Sequence, residues 1–289
     1  MTSVAFVTAS QWATLTTDDQ LAAAELEKRG IRVQAVLWDS DSVDWQSFDA
    51  IVLRSTWDYF KRYDAFLEWL AKLESLNVPL WNPVKVVRWN SEKTYLAALA
   101  KQGVATVQTV IVERGASRNL EGLVKDHGWL KAIVKPTVSG GAYETWMTDP
   151  QVARDDQSAF ESLLKKSSVM IQPFVPEVAS NGEWSLIFFG KQYSHSVLKR
   201  PRPGDYRVQE HLGGSTVSQQ PPQALLDEAT RICQLIDGPL LYTRVDGVEV
   251  KGRFVLMELE LIEPLLFLGK DTAAPARFAD ALEAVLLKN

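Results

Sequence analysis

The fold is decided by the stretch Leu241-Tyr-Thr-Arg-Val-Asp246-Gly-Val-Glu-Val250, the link Lys251-Gly252, and the run Phe254-Val-Leu-Met-Glu258-Leu259-Glu260-Leu-Ile262. Two β-rich runs joined through a glycine read as a hairpin. Asp246 lies on the first strand. Glu258 and Glu260 lie on the second, where the two-residue period points both to one face. Three acids then converge on one spot, a set of hard oxygen donors suited to Mg²⁺ or Mn²⁺. A solvated sheet face with alternating glutamates gives the same spacing. Glu263 follows, either serving that spot or facing water.

Upstream, Glu183 to Phe189 and Gln192 to Leu198 form a second hairpin across Gly190-Lys191, and a helix through Leu225, Ala229 and Ile232 separates the two hairpins. The second hairpin runs into Lys199-Arg200-Pro201-Arg202-Pro203-Gly204-Asp205-Tyr206-Arg207, where prolines and Gly204 set turns between arginines. Arginine forks suit phosphate or carboxylate, although a solvated basic loop has the same composition. His195 shares the face of Lys199 and is either a satisfied histidine or a functional one. Earlier still, Lys135 ends a strand and Ser139-Gly140-Gly141 follow, either an ordinary turn or a loop whose N–H groups approach phosphate. The spacing fits neither a Walker loop nor a dinucleotide fingerprint.

The first 80 residues have a different rhythm. Strands at Ser3 to Thr8, Ile31 to Trp38 and Phe48 to Leu53 alternate with helices, the first opened by a capping box of Thr17 and Gln20 and ended at Gly30. Such alternation specifies a parallel sheet. From Ser91, a plausible N-cap for a helix through Lys93 and Leu99, the pattern becomes α+β. The chain therefore reads as an open α/β domain over residues 1–83, followed by two α+β parts, 84–175 and 176–289.

Composition sets the outer limits. With 31 Lys+Arg against 36 Asp+Glu and no basic run, nucleic acid and anionic membrane are poor partners for the 289-residue chain. No apolar stretch approaches the length of a membrane span and no targeting segment opens the chain, so a cytoplasmic location is expected. The single cysteine, Cys233, sits in an apolar periodic stretch and reads as a buried hydrophobe.

These motifs together resemble the ATP-grasp carboxylate–amine ligases, in the branch of bacterial glutathione synthetase and the ribosomal-protein glutamate ligases. The resemblance covers roughly residues 84–268. Gly204-Asp205-Tyr206-Arg207, Gln209 and Gly213-Gly214 are similar to that branch's Gly-Asp-Phe-Arg-x-Asn segment and its glycine pair; Asp246 and Glu258-x-Glu260 are similar to its metal-binding Asp and Glu-x-Asn. The resemblance implies the ATP-grasp fold, with two subdomains gripping ATP. It also implies that Lys93 and Lys135 hold the phosphates beneath the Ser139-Gly140-Gly141 loop, and that the Gln172-Pro173-Phe174-Val175 backbone meets adenine. Glu183 would bind ribose, Gln209 would line the triphosphate and Arg207 would stabilise transition-state charge, with Lys135 as the second catalytic cation. Lys199 would stand near the substrate carboxylate. Glu260 departs from the family asparagine by adding a negative charge, and the glycine loop is shorter than is common.

Arg54-Ser55-Thr56-Trp57-Asp58-Tyr59, at a strand's carboxyl end, resembles another ATP-grasp branch, which includes the D-cycloserine-forming ligase. Ligands of open α/β sheets gather at such ends, which makes Arg54, Ser55, Trp57, Asp58 and Tyr59 candidate substrate residues, although a loop with a core tryptophan gives the same pattern. The reaction so implied is ATP-dependent activation of a small-molecule carboxylate as an acyl phosphate for attack by an amine, between molecules or within one. A kinase-like phosphotransferase and a nucleotide-binding module without turnover are the alternatives. A homodimer is the default assembly.

Overall fold

The computed structural model describes residues 2–287, the side chain of residue 211 excepted. The chain begins with β1 (Ser3–Thr8), α1 (Thr17–Lys28), β2 (Arg32–Leu37), β3 (Ala50–Ser55), α2 (Tyr63–Ser75) and β4 (Leu80–Trp81). Their strands make a parallel sheet in the order β2-β1-β3-β4. The two inner strands, β1 and β3, are buried along their whole length, as parallel strands covered on both faces must be. The cap of α1 differs by one residue from the sequence reading. Thr16 accepts the Asp19 N–H and donates to the Asp19 carboxylate, so Asp19 closes the box in place of Gln20.

Next come α3 (Val84–Asn90), α4 (Tyr95–Lys101), β5 (Val110–Val112), α5 (Leu120–Asp126), β6 (Ala132–Pro136), β7 (Trp146–Thr148), α6 (Gln157–Lys166) and β8 (Val169–Pro173). Their strands pair antiparallel in the order β5-β8-β6-β7. Ser91 closes α3 instead of opening a helix: its N–H reaches Val87 O and its hydroxyl Arg88 O. Lys93 consequently sits in the turn between α3 and α4, where its N–H is tied to Thr137 O beside the glycine loop.

The remainder comprises α7 (Glu177–Ser180), β9 (Glu183–Phe189), β10 (Gln192–Arg200), β11 (Ser215–Ser218), α8 (Gln223–Gln234), β12 (Tyr242–Val250), β13 (Arg253–Glu260) and α9 (Ala274–Leu286). Its antiparallel sheet runs β11-β10-β9-β12-β13. Both expected hairpin turns have positive φ at their two central residues, Gly190 and Lys191 and then Lys251 and Gly252, which matches strand twist. One face of this sheet, with Trp184, Leu186, Phe188, Val245, Leu256 and Leu259, packs with α4 and α8 and encloses Cys233. Helix α9, although inside the expected third part (176–289), packs back on the first sheet, where Phe278 and Leu282 join Phe6 and Leu26 in one core. Among the described residues no helix is long and apolar enough to cross a membrane.

The other face of the large sheet carries the acids singled out in the sequence. A β-bulge in the β12–β13 pairing shifts the register between Asp246 and Gly247, so that Gly247 pairs Leu256 while Asp246 pairs Glu258. The residue skipped is Met257. This keeps Leu256 and Leu259 on the buried face and turns Glu258 and Glu260 to the opposite one, alongside Asp246.

Candidate active site

Along that face the register places functional groups in neighbouring cross-strand rows. Thr216 and Glu183 flank Lys199, Ser185 lies beside Asp246, and Asp246 faces Glu258. Arg244 and Glu260 form the next pair along the same two strands. Apolar residues close both ends: Val178, Val208 and Val248 on one side, Ile187, Phe189 and Tyr242 on the other.

The expected convergence of Asp246, Glu258 and Glu260 takes a different form. Among the described residues no group of three or more acids, histidines or cysteines is arranged to hold a metal ion, because cations stand between these carboxylates. Lys199 bridges Glu183 at 2.5 Å and Asp246 at 3.1 Å; Arg244 binds Asp246 at 2.8 Å and also Glu260; Lys93 binds Glu258 at 3.1 Å. Ser185 donates to Asp246 as well. Burial would raise the Asp246 carboxyl, but Arg244 and Lys199 overcome it and hold the group down at about 2. Burial pushes Glu260 up to about 8 despite Arg244, with Asp246 and Glu258 adding repulsion. Burial likewise lifts Glu263 to about 7 against the pull of Lys93, with Glu258 repelling it. The donor set itself, three hard carboxylates on one face, suits a divalent hard cation.

Lys135, from β6 of the smaller antiparallel sheet, and Lys93, from the turn between α3 and α4, face these groups. Lys93 donates to Ser139 O, and burial followed by the repulsion of Lys93 lowers the Lys135 ammonium while Glu258 and Glu183 support it. The loop at Gly140 lies against the first domain: a Cβ there would stand 2.9 Å from the Phe60 ring, and Phe60 packs on Tyr143. Of the residues expected to meet adenine, Gln172 donates to Thr109 and the Phe174 N–H to Lys131 O, which leads Val175 into the valine cluster of Val178, Val208 and Val248.

Five of the remaining sequence candidates have other partners. Arg207 folds back on Asp205 through Nε and Nη2 and stays more than a third exposed, so the structure does not bring it to the acidic cluster; Gln209 lies in the same loop. His195 lies on the expected face with both ring nitrogens engaged, Nε2 with Leu266 O and Nδ1 with the Ser194 hydroxyl, and burial lowers its pKa. Arg54, only 1% exposed, is locked to Asp19 at 2.8 Å and to Pro264 O. Ser55 joins that network through Asp19, and Asp58 accepts from Trp38 and Arg62. By contrast, Trp57 reaches the site's edge by donating to Glu263 O at 2.8 Å, and Tyr59 feels the charges of Glu263, Glu258 and Glu260 after the larger effect of its own burial.

Arg244 escaped the sequence reading, though a signal existed: it precedes Asp246 by two residues and so shares its face of the strand. Asn82, fully buried, also escaped it. Its side chain joins Leu241 N, Tyr242 O and Leu261 O and so ties the end of the first domain to the large sheet.

The geometry can be set beside known proteins. Residues 4–82 match the profile of the N-terminal domain of D-cycloserine synthetase DcsG. The cycloserine biosynthesis protein DcsG of Streptomyces lavendulae is 30% identical over 269 residues, which covers 88% of each chain. The crystal structure of D-cycloserine synthetase DcsG superposes with a TM-score of 0.87 at 28% identity, covering 98% of this chain and 99% of that one. D-alanine–D-alanine ligase from Bacillus anthracis, complexed with ATP, shares the fold at a TM-score of 0.70 and 14% identity, with 100% of this chain and 98% of that chain covered. The ATP-grasp ligase PsnB, complexed with a minimal precursor, does so at 0.66 and 17%, with 98% and 99% covered.

Proposed function

The chain belongs to the DcsG family of ATP-grasp ligases, and from that premise we propose that it closes a ring by joining a carboxylate to an aminooxy nitrogen of the same small molecule. It is an ATP-dependent carboxylate–amine ligase. The five-membered ring of D-cycloserine has one acyl C–N bond, and opening that bond leaves an amino acid with an aminooxy side chain. That compound, O-amino-D-serine, is the proposed substrate class.

The observation that carries this reading is the cluster of Lys199, Glu183, Asp246 and Glu258 on four adjacent strands, tied together by Lys199, with Lys135 from the smaller sheet and Lys93 from the turn between α3 and α4 facing it. We assign Lys93 and Lys135 to the phosphates of ATP under the Ser139-Gly140-Gly141 loop. The valine cluster beside Val175 serves adenine, and Glu183 the ribose. Asp246, Glu258 and Glu260 are the residues that would hold Mg²⁺, which when bound neutralises phosphate charge. In the first step a carboxylate oxygen attacks the γ-phosphorus, the bond to the β–γ bridging oxygen breaks, and ADP leaves. In the second, the aminooxy nitrogen attacks the acyl carbon, loses a proton, and phosphate departs with the acyl C–O electron pair. Positioning and charge stabilisation supply most of such catalysis. Arg244 takes the transition-state role in preference to Arg207, because its guanidinium is fixed at the acids while Arg207 is engaged within its own loop.

The test is incubation with ATP, Mg²⁺ and O-amino-D-serine, scoring ADP and ring product, with hydroxylamine added in parallel. Stoichiometric ADP and ring closure, or a hydroxamate where hydroxylamine competes, supports the reading. ADP with a stable phosphorylated product that hydroxylamine does not trap would replace it with a phosphotransferase.

A further inference from the structure

One short segment receives an unusual share of the molecule's side-chain donors. The six consecutive carbonyls of residues 261–266 each accept from a different side chain: Asn82, Tyr242, Trp57, Arg54, Arg244 and His195, in order along the segment. The N–H of Leu261 goes to Asn90 and that of Leu266 to Asp18. These donors come from β3, β10, β12 and the loops after β3 and β4. Unfixed, the stretch would be a mobile loop directly after the acid-bearing strand. With them, each residue has a set place, which is how sites are made rigid to within a fraction of an ångström.

The side chain this clamp presents is Glu263. Every acid in the cluster has a cation: Asp246 has Arg244 and Lys199, Glu183 has Lys199, Glu258 has Lys93 and Glu260 has Arg244. Glu263 makes no ion pair among the described residues, and its carboxylate finds only its own backbone N–H. It is half-buried, and its charge is felt at Tyr59 and Tyr242. Beside it, Trp57 carries the indole that clamps the Glu263 carbonyl and meets Trp12 edge to face at 5.3 Å. A half-buried carboxylate with no ion-pair partner of its own, within electrostatic reach of Lys93 and Arg244 but bonded to neither, and next to indole and phenol rings, suits a ligand's primary ammonium.

We propose that Glu263 is the specificity residue that binds the ammonium group of an amino-acid substrate next to the carboxylate being activated, with Arg54, Trp57 and His195 as positioning residues that fix its backbone. The proposal rests on the ring-closing reading above. It separates the two nitrogens of the substrate: the charged α-ammonium pairs with Glu263, and the uncharged aminooxy nitrogen stays free to attack.

The test compares O-amino-D-serine with 3-(aminooxy)propanoate, which keeps the carboxylate and the nucleophile and lacks the α-ammonium. For E263Q, kcat/KM on the amino compound should fall at least ~10-fold, mainly through KM, while the desamino compound changes less than ~3-fold and the KM for ATP holds. E263D should recover part of the loss. W57F should raise the same KM by a smaller factor and also spare the desamino compound. Equal losses on both compounds, or no preference in the wild type, would overturn the proposal and leave the ring-closing reading standing. A wild-type protein that closes neither ring would overturn both. Thermal melting of E263Q within about 4 °C of wild type confirms the fold.

Discussion

Replacing Arg54 with methionine separates two roles that its position allows, support of the fold and contact with substrate. Its guanidinium is 1% exposed, binds Asp19 at 2.8 Å, donates to Pro264 O at 3.1 Å and lies over the Tyr242 ring at 5.2 Å. Methionine fills most of the volume but leaves Asp19 as a buried charge and Pro264 O without its donor. Loss of one partner of a buried ion pair costs about 3–5 kcal/mol. Thr16 and Ser55 still donate to Asp19 and hold the cost near the lower end, while the orphaned carbonyl adds roughly 1–3 kcal/mol. The expected loss of about 4 kcal/mol lowers the melting temperature by roughly 8–16 °C. The assay is a thermal and urea melt of R54M, D19N and the double variant. The double variant should lose less than the sum of the singles by about 1–3 kcal/mol, since neither residue then stands alone. Additive losses, or an R54M protein that melts like wild type while its substrate KM rises, would refute this reasoning and return Arg54 to the list of substrate contacts.

Other residues give shorter tests. Glu258→Gln removes a proposed metal donor at a partly exposed site; ADP release should fall at least ~100-fold with the melting temperature shifted by less than about 4 °C, and retained turnover with Mg²⁺ would exclude the assignment. Gly140→Ala puts a Cβ 2.9 Å from the Phe60 ring. It should raise the KM for ATP by roughly 3–10-fold, and adding Phe60→Ala should reverse much of that rise. His195 gives the pH test. Burial holds its imidazole below the usual 6.5, so the unfolded chain takes up the proton first as the pH falls. Its contribution is therefore complete above about pH 6.5 and is lost as the pH falls below it, and His195→Gln should flatten the stability slope just below pH 6.5 by up to about 1.4 kcal/mol per pH unit. An unchanged slope in urea melts would show that the histidine does not titrate on unfolding.

Local signals carried most of the fold. The hairpins at Gly190-Lys191 and Lys251-Gly252, the buried runs Val4 to Val7 and Ile51 to Leu53, and the change from alternating β and α to paired strands are all short-range patterns, and each became the expected element. The misses have equally local causes. Thr16 and Thr17 are adjacent capping residues, and the one used is Thr16, whose partner Asp19 is also paired with Arg54 from a distant strand. The strands β7 and β11 have three and four residues, too few for a period to register. Helix α6 did carry a signal in Phe160, Leu163 and Leu164, at spacings of three and four, and was passed over.

The candidate site was legible to the extent that its residues share a strand. Asp246, Glu258 and Glu260 could be placed on one face from alternation alone, whereas what stands between them could not, because Lys93 and Lys199 arrive from turns and strands far away in sequence. Arg244 is the instructive case. The rule that placed Glu260 beside Glu258 also places Arg244 beside Asp246, and the antiparallel register then sets Arg244 against Glu260. Glu260 was noted for adding a charge where an asparagine is usual. An extra carboxylate on a buried face requires a cation opposite it, and that requirement alone directs attention across the hairpin to position 244. The two residues are therefore read best as a pair, in which the acid at 260 is tolerated because Arg244 divides its charge between Glu260 and Asp246.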